Sequence, residues 1–307
     1  MKFKGQARIF EVGPRDGLQA EDRIISVGQR VELIHRLISS GLSDIEVGSF
    51  VREDRIPQLA GTADVIKKLR TLYADQLKKV SLWAFIPNEF GLDRAIEAGV
   101  QGASFFVAVS DTFSQKNVNK TRKEILASLP SLIKKAKSRK IKTRVYLSTL
   151  VYCPYEGPVS ASEVVGVAKI LKKMGVQELV LSDTTGDANP KSLDRVLEAL
   201  VKKSKIFKGQ NLALHLHDTR GLALANILLG LEYGIRVFDS SIGGLGGCPY
   251  APGASGNLST EDLANMLLGM GLIRGIDLGT LGQAGAFAES CFERRLPSRV
   301  LRALQGK

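Results

Sequence analysis

SASEVVGVAKILKKMGVQELVLSDTTGD, residues 160–187, decides the fold. Its first half carries apolar residues at Val164, Val167, Ala168 and Leu171, the 3.6-residue period of a helix lying on a core. Ser160 and Glu163 have the spacing of a capping box, and Gly175 stands where such a helix would close. The run ELVLS at 178–182 is short, apolar and without alternation, as a strand covered on both faces reads. It gives way to a polar stretch, SDTTGD at 182–187.

The same unit recurs along the chain. Strands are expected at RIFEV (8–12), DIEV (44–47), VSLWAF (80–85), ASFFVAV (103–109), TRVYLS (143–148), ELVLS (178–182), LALHLH (212–217) and VFDSSI (237–242). Helical segments such as SVGQRVELIHRLISSG (26–41) lie between them. Eight strands alternating with eight helices, ending near residue 271, predict an α/β fold, a (β/α)8 TIM barrel with additional C-terminal helices. Residues 1–275 form the barrel in this reading, and residues 276–307 a helical extension of the same domain. A doubly wound sheet is the rival, but no G-x-G-x-x-G follows the first strand.

Composition narrows the class. The 307 residues are 44% hydrophobic and 24% charged, ordinary for a soluble globular protein. No run approaches the roughly 18 apolar residues that span a bilayer, so no membrane partner is expected. The stretch MKFKGQARIFEVG (1–13) has no apolar segment of the signal-peptide kind. Three cysteines, Cys153, Cys248 and Cys291, suggest no disulfide framework, and a cytoplasmic location is the expectation. The net charge of +12 gathers at KKAKSRKIKTR (134–144) and RRLPSRVLRALQGK (294–307). Without interleaved aromatic residues these read as solvated helix faces, the first at a helix end, rather than as a nucleic-acid surface.

In a barrel, the loops after the strands form the active face. There the chain places EVGPRDGLQ (11–19), IEVGSF (45–50), SDTTGD, HLHDTRG (215–221) and GGLGGCPYAPGASGN (243–257). Residues two apart on a strand share a face, so His215 and His217 can point inward together and share one metal ion. His35, the third histidine, lies in a helix and is read as structural. Asp16 is the best carboxylate partner, because the first strand neighbours the eighth in a closed barrel. Arg15 stays charged when buried and suits a carbonyl or enolate oxygen. Glu46 and Asp183 are further candidates, with an ion pair to Arg15 or a cap on the next helix as their structural alternatives. The last loop has six glycines and two prolines in fifteen residues, a composition of ligand-hugging loops, with Gly246, Gly247 and Cys248 at its centre. Cys248 there suggests acid–base or nucleophilic use, and Asn257 ends the loop as a helix cap, a turn residue or a ligand.

EVGPRDGLQAE (11–21), GLSDIEVGSF (41–50), CPYEG (153–157), SDTTG (182–186), HLHDTRGLALAN (215–226) and GGLGGCPYAPGASGNLSTED (243–262), in this order, resemble the 3-hydroxy-3-methylglutaryl-CoA lyases. The last stretch is specific to these lyases, whereas the RDG and HxHD motifs also fit related barrel aldolases and Claisen-type synthases. The resemblance implies a carbon–carbon lyase, cleavage of 3-hydroxy-3-methylglutaryl-CoA to acetyl-CoA and acetoacetate, and a place in leucine degradation. It implies a divalent metal, Mg2+ or Mn2+, on Asp16, His215, His217 and Asn257. Arg15 matches the enolate-stabilising arginine, Cys248 the loop cysteine, and Glu46 and Asp183 acidic residues of the site. Asp16, Asp183 and His215 all remain candidates for the base. The expected partners are an acyl-CoA thioester and, as a homodimer, a second copy of the chain.

The chain departs from the pattern in places. VREDR (51–55) replaces a serine-proline-lysine sequence, Arg220 stands where most members have tyrosine, and Gly48 where threonine is common. Two of these are expected near the mouth of the site, which bears on the acyl group. The carboxyl-terminal cysteine of the animal enzymes is absent.

Overall fold

The computed structural model describes residues 3, 5–247 and 256–306. Its strands are β1 (Arg8–Glu11), β2 (Asp44–Ser49), β3 (Ser81–Phe85), β4 (Gly102–Ala108), β5 (Lys142–Ser148), β6 (Tyr152–Cys153), β7 (Gly157–Pro158), β8 (Glu178–Asp183), β9 (Leu212–Leu216) and β10 (Val237–Ser240). Eight of them close a parallel barrel in the order β1-β10-β9-β8-β5-β4-β3-β2. Closure is made by β1, which pairs Phe10 with Asp239 of β10 on one side and with Asp44 of β2 on the other. The eight expected strands are therefore all present. The CPYEG stretch adds an antiparallel hairpin, β6 with β7, that periodicity did not announce.

The helices form because apolar stripes and caps agree. Ala161–Lys173 buries Val164, Val167, Ala168 and Leu171, starts with a capping box between Ser160 and Glu163, and is followed by Gly175 at φ +80°. Val27–Ser39 starts in the same way at Ser26 and Gln29. His35 stacks on Tyr73 with ring centroids 3.9 Å apart, a packing role as expected. The basic cluster at 134–144 also behaves as a helix end, with Lys135 on Glu89 and Asp93 and Lys137 on the Gly175 carbonyl. The helices Leu278–Phe292 and Arg299–Leu304 contribute Leu281, Ala284, Ala288, Phe292 and Leu301 to the same core as the barrel helices.

Inside the barrel, Phe10, Val12, Trp83, Tyr146, Val180, Ala213 and Val237 pack as a separate cluster. Below them the N-terminal end is shut by charge. Arg8 pairs with Asp44 at 2.8 Å and Glu178 at 2.6 Å, Arg144 lies 2.9 Å from Glu178, and Trp83 donates from Nε1 to Asp44. The barrel is filled at its floor and polar at its rim, the arrangement that puts chemistry at one end.

Candidate active site

β1 runs into a five-residue π-helical turn, Gly13–Gly17, which delivers Arg15 and Asp16 to the rim. Glu11 fastens this turn to the other end of the chain. One carboxylate oxygen accepts from the backbone N–H of Gly13 at 2.7 Å and of Ile242 at 2.9 Å, and the other from the Thr260 hydroxyl at 2.6 Å. Burial pushes Glu11 up to about 7 against those three donors. Glu261, which accepts from Gly243 N at 2.8 Å, is pushed up to about 8 by burial.

His215 lies in β9 and His217 just beyond it, their ring centroids 5.5 Å apart, with Leu216 turned into the outer core. Asp16, His215 and His217 each offer one ligand atom, and these atoms lie within 4.8 Å of one another. Asn257 joins them by donating its amide to Asp16 Oδ2 at 2.9 Å. Ser259, not Asn257, caps the helix that follows. Gly246 makes room for Asn257: at φ +120°, a Cβ there would stand 2.7 Å from Asn257 Nδ2.

The donors suit a divalent cation. Burial lowers His217 to about 4, His215 adds to the effect and Asp16 opposes it, so its imidazole is neutral near pH 7. Its Nδ1 is buried with no partner among the described residues. Burial works against the charge of Asp16, but Arg15, His215, His217 and the Asn257 amide hold it well below the usual carboxylate range. Imidazole nitrogens with an ionised carboxylate and an amide oxygen are ligands of hard to intermediate divalent ions.

Arg15 is 6% exposed and bridges two acids. Nε donates to Glu46, and Nη1 lies 2.5 Å from Asp16. Its guanidinium stands 5.1 Å from the Phe85 ring centroid and 5.5 Å from that of Tyr146. Burial opposes its charge, and Glu46 and Asp16 more than offset that, holding it above its ordinary value. Glu46 thus has the ion pair with Arg15. Asp183, at the end of β8, accepts from the N–H of Asp187 at 3.2 Å and of Ala188 at 2.9 Å, the turn-capping role. Burial nevertheless pushes Asp183 up to about 6 against those donors.

Of the residues singled out in the sequence, Arg15, Asp16, Glu46, His215, His217 and Asn257 are brought together by these contacts. Asp183 lies one strand away, next to Ser182, which pairs in register with His215. Cys248 lies outside the described residues. Periodicity missed Tyr146, whose hydroxyl is buried without a partner among the described residues, and Asp239 and Arg144, which are fully buried. The inward alternation Arg144, Tyr146, Ser148 was there to be read once one of the three is known to face the interior.

Two departures from the family pattern have local reasons. Gly48 sits at a register shift between Glu46 and Gly48, and a Cβ there would meet Thr62 Oγ1 at 2.4 Å and Arg30 Nη2 at 2.8 Å. A side chain at this position would therefore face the helix layer. Arg220 donates to the carbonyls of Thr185 and Gly186 and pairs with Asp187 at 2.9 Å, tying the loops after β8 and β9 together.

Comparison with known proteins agrees with this fold. Residues 6–287 match the family model described as HMGL-like. The chain is 42% identical over 305 residues to a hydroxymethylglutaryl-CoA lyase of Bacillus subtilis, with 99% of each chain covered. It is 39% identical over 307 residues to the 3-hydroxy-3-isohexenylglutaryl-CoA/hydroxymethylglutaryl-CoA lyase of Pseudomonas aeruginosa, with 100% of both covered. A crystal structure of the Bacillus subtilis HMG-CoA lyase superimposes with a TM-score of 0.94 at 42% identity, over 99% of this chain and 100% of that one.

Proposed function

The chain belongs to the HMGL-like family, and we propose that it cleaves 3-hydroxy-3-methylglutaryl-CoA to acetyl-CoA and acetoacetate. It is a carbon–carbon lyase. The observation that carries this reading is the cluster of Asp16, His215 and His217 beside the buried Arg15, at the rim of a barrel with full-length lyase relatives.

Asp16, His215, His217 and the Asn257 oxygen would hold Mg2+ or Mn2+. When bound, the cation supplies Lewis acidity to the tertiary hydroxyl and the free carboxylate of the substrate. Asp16 and His215 would be taken up as ligands, which leaves Asp183, pushed up to about 6 by burial, as the base for the hydroxyl proton in this reading. The C2–C3 bond then breaks. Its electron pair passes to the thioester as an enolate, and C3 becomes the ketone of acetoacetate. Arg15 is preorganised for the enolate oxygen, because Glu46 and Asp16 fix its fork before charge develops. Cys248, which follows β10 in the sequence, returns a proton to the enolate carbon to give acetyl-CoA in this reading.

No helix of the described chain is long and apolar enough to cross a membrane. We place the protein in the cytoplasm, which the unpaired, buried thiols of Cys153 and Cys291 support. A second copy of the chain is its protein partner in this reading, tested by light scattering. The decisive assay incubates purified, metal-stripped protein with Mg2+ or Mn2+ and a panel of 3-hydroxyacyl-CoA thioesters differing at C3. Acetyl-CoA should form from the 3-methyl substrate only when metal is restored. No acetyl-CoA from that substrate would overturn the reading, and faster release from a longer 3-alkyl substrate would reassign the acyl group.

A further inference from the structure

The two ring nitrogens of His215 face two different carboxylates. Nε2 lies 3.8 Å from Asp16 Oδ2, on the side of His217 and Asn257. Nδ1 lies 3.3 Å from Oδ2 of Asp239. Asp239 is the residue paired with His215 in register on the neighbouring strand, and it is 1% exposed. Its other oxygen accepts from Arg144 Nη2 at 2.7 Å. Arg144 comes from β5 and is itself 0% exposed. Its guanidinium lies 3.7 Å from the ring centroid of Phe10, and its Nε 2.9 Å from Glu178 on the barrel floor.

We propose that Asp239, held in place by Arg144, is the positioning residue of the metal site: it keeps the His215 proton on Nδ1 and so presents the Nε2 lone pair to the cation. A carboxylate that takes a hydrogen bond from a guanidinium has only acceptors left. The contact with His215 Nδ1 is therefore an N–H donating to Asp239, and the lone pair falls on Nε2. The neighbouring strand sets which side of the ring meets Asp239, so tautomer and ring orientation are fixed together. A fully buried ion pair is a weak source of stability, since apolar residues of similar size serve as well. Its position behind a ligand histidine gives it a use that packing does not. Sequence reading missed it because Arg144 and Asp239 are 95 residues apart.

The inference rests on the metal reading above, and its test separates the two. The protein is labelled with 15N-histidine and stripped of metal, and the tautomers of its three histidines are read from long-range 1H–15N spectra. His215 should carry its proton on Nδ1. In Asp239→Asn the amide oxygen goes to Arg144 and the amide nitrogen donates to His215 Nδ1, so the proton should move to Nε2. Mn2+ affinity, followed by the paramagnetic resonance of free Mn2+, should then fall about 10- to 100-fold. If that variant does not fold, Arg144→Gln/Asp239→Asn replaces the charged pair with two amides and carries the same expectation. An Nε2–H tautomer in the wild type overturns the proposal. So does an unchanged tautomer in the variant, or unchanged Mn2+ affinity when the wild type binds. A wild type that takes up no Mn2+ overturns the metal reading itself, and the role of Asp239 with it.

Discussion

Asn257 donates its side-chain amide to Asp16 across 2.9 Å, joining the first loop of the barrel to the last. The two residues are 241 positions apart and meet only because β1 closes on β10. The same nitrogen also donates to the Leu245 carbonyl at 3.2 Å, so the amide oxygen is the atom Asn257 has to offer a cation. Half the proposed ligand set is thus a product of closure rather than of any one strand.

The ligand set predicts a loss of metal when it is thinned. His215→Ala and His217→Ala each remove one of the three clustered ligand atoms and should weaken Mn2+ binding by more than about tenfold. Calorimetric titration of metal-stripped wild type and variants decides it. Equal affinity in all three would place the histidines in packing.

Arg15 predicts a loss of rate without a loss of metal. Arg15→Met should lower kcat by about 100- to 1000-fold, as removal of one preorganised donor does. Metal affinity should not fall, because Asp16 is released from a competing cation. Arg15→Lys should not restore the rate, since Arg15 reaches Glu46 and Asp16 with different nitrogens and an ammonium is a single point charge. An effect on KM alone would place Arg15 in ground-state binding.

Gly48 predicts an overpacked seam. Gly48→Ala puts a methyl 2.4 Å from Thr62 Oγ1 and 2.8 Å from Thr62 Cγ2, a short side chain that cannot swing away, and should cost about 1–3 kcal/mol. Urea denaturation measures it. The double variant Gly48→Ala/Thr62→Ala should recover part of the loss, and no loss in the single variant would show that the helix layer yields freely.

Glu261 predicts a slope of stability with pH. Its value rises from 4.5 to about 8 on folding, so the folded state binds this proton more tightly and is disfavoured as pH climbs through that window. Glu261→Gln carries no such titration. The variant should gain on wild type from pH 5 to pH 8.5, by about 2 kcal/mol or more, in denaturant midpoints. Parallel pH profiles for the two proteins would show that Glu261 is ionised throughout.

The strands were legible because a parallel barrel buries both strand faces, which turns each strand into an apolar run bounded by polar loops. RIFEV, ELVLS and LALHLH all read this way, and their boundaries fall within a residue of β1, β8 and β9. The same property hides what lies inside. Nothing in VFDSSI says that Asp239 points to the axis, and the alternation of Arg144, Tyr146 and Ser148 in TRVYLS does not say which face is the inner one. His215 and His217 were found because histidine is rare in this chain and the pair keeps strand spacing. The face of Gly48 was not legible, because a one-residue register shift between Glu46 and Gly48 turns a side chain from one face to the other.

The ion pairs among Arg8, Asp44, Glu178 and Arg144 seal the floor of the barrel, so among the described residues the proposed site is a vessel closed at that end, with its opening at the rim. The nucleotide handle of a CoA thioester is too large to pass inside and must lie at that opening. In the proposed reaction acetoacetate is formed beneath the thioester, and it is expected to leave after acetyl-CoA has cleared the way. Catalysis in such a vessel is ordered at its exit. In steady-state kinetics acetoacetate should compete with substrate for the emptied enzyme, while acetyl-CoA, the first product out, should inhibit in the mixed pattern of a ligand that returns to an enzyme still holding its second product.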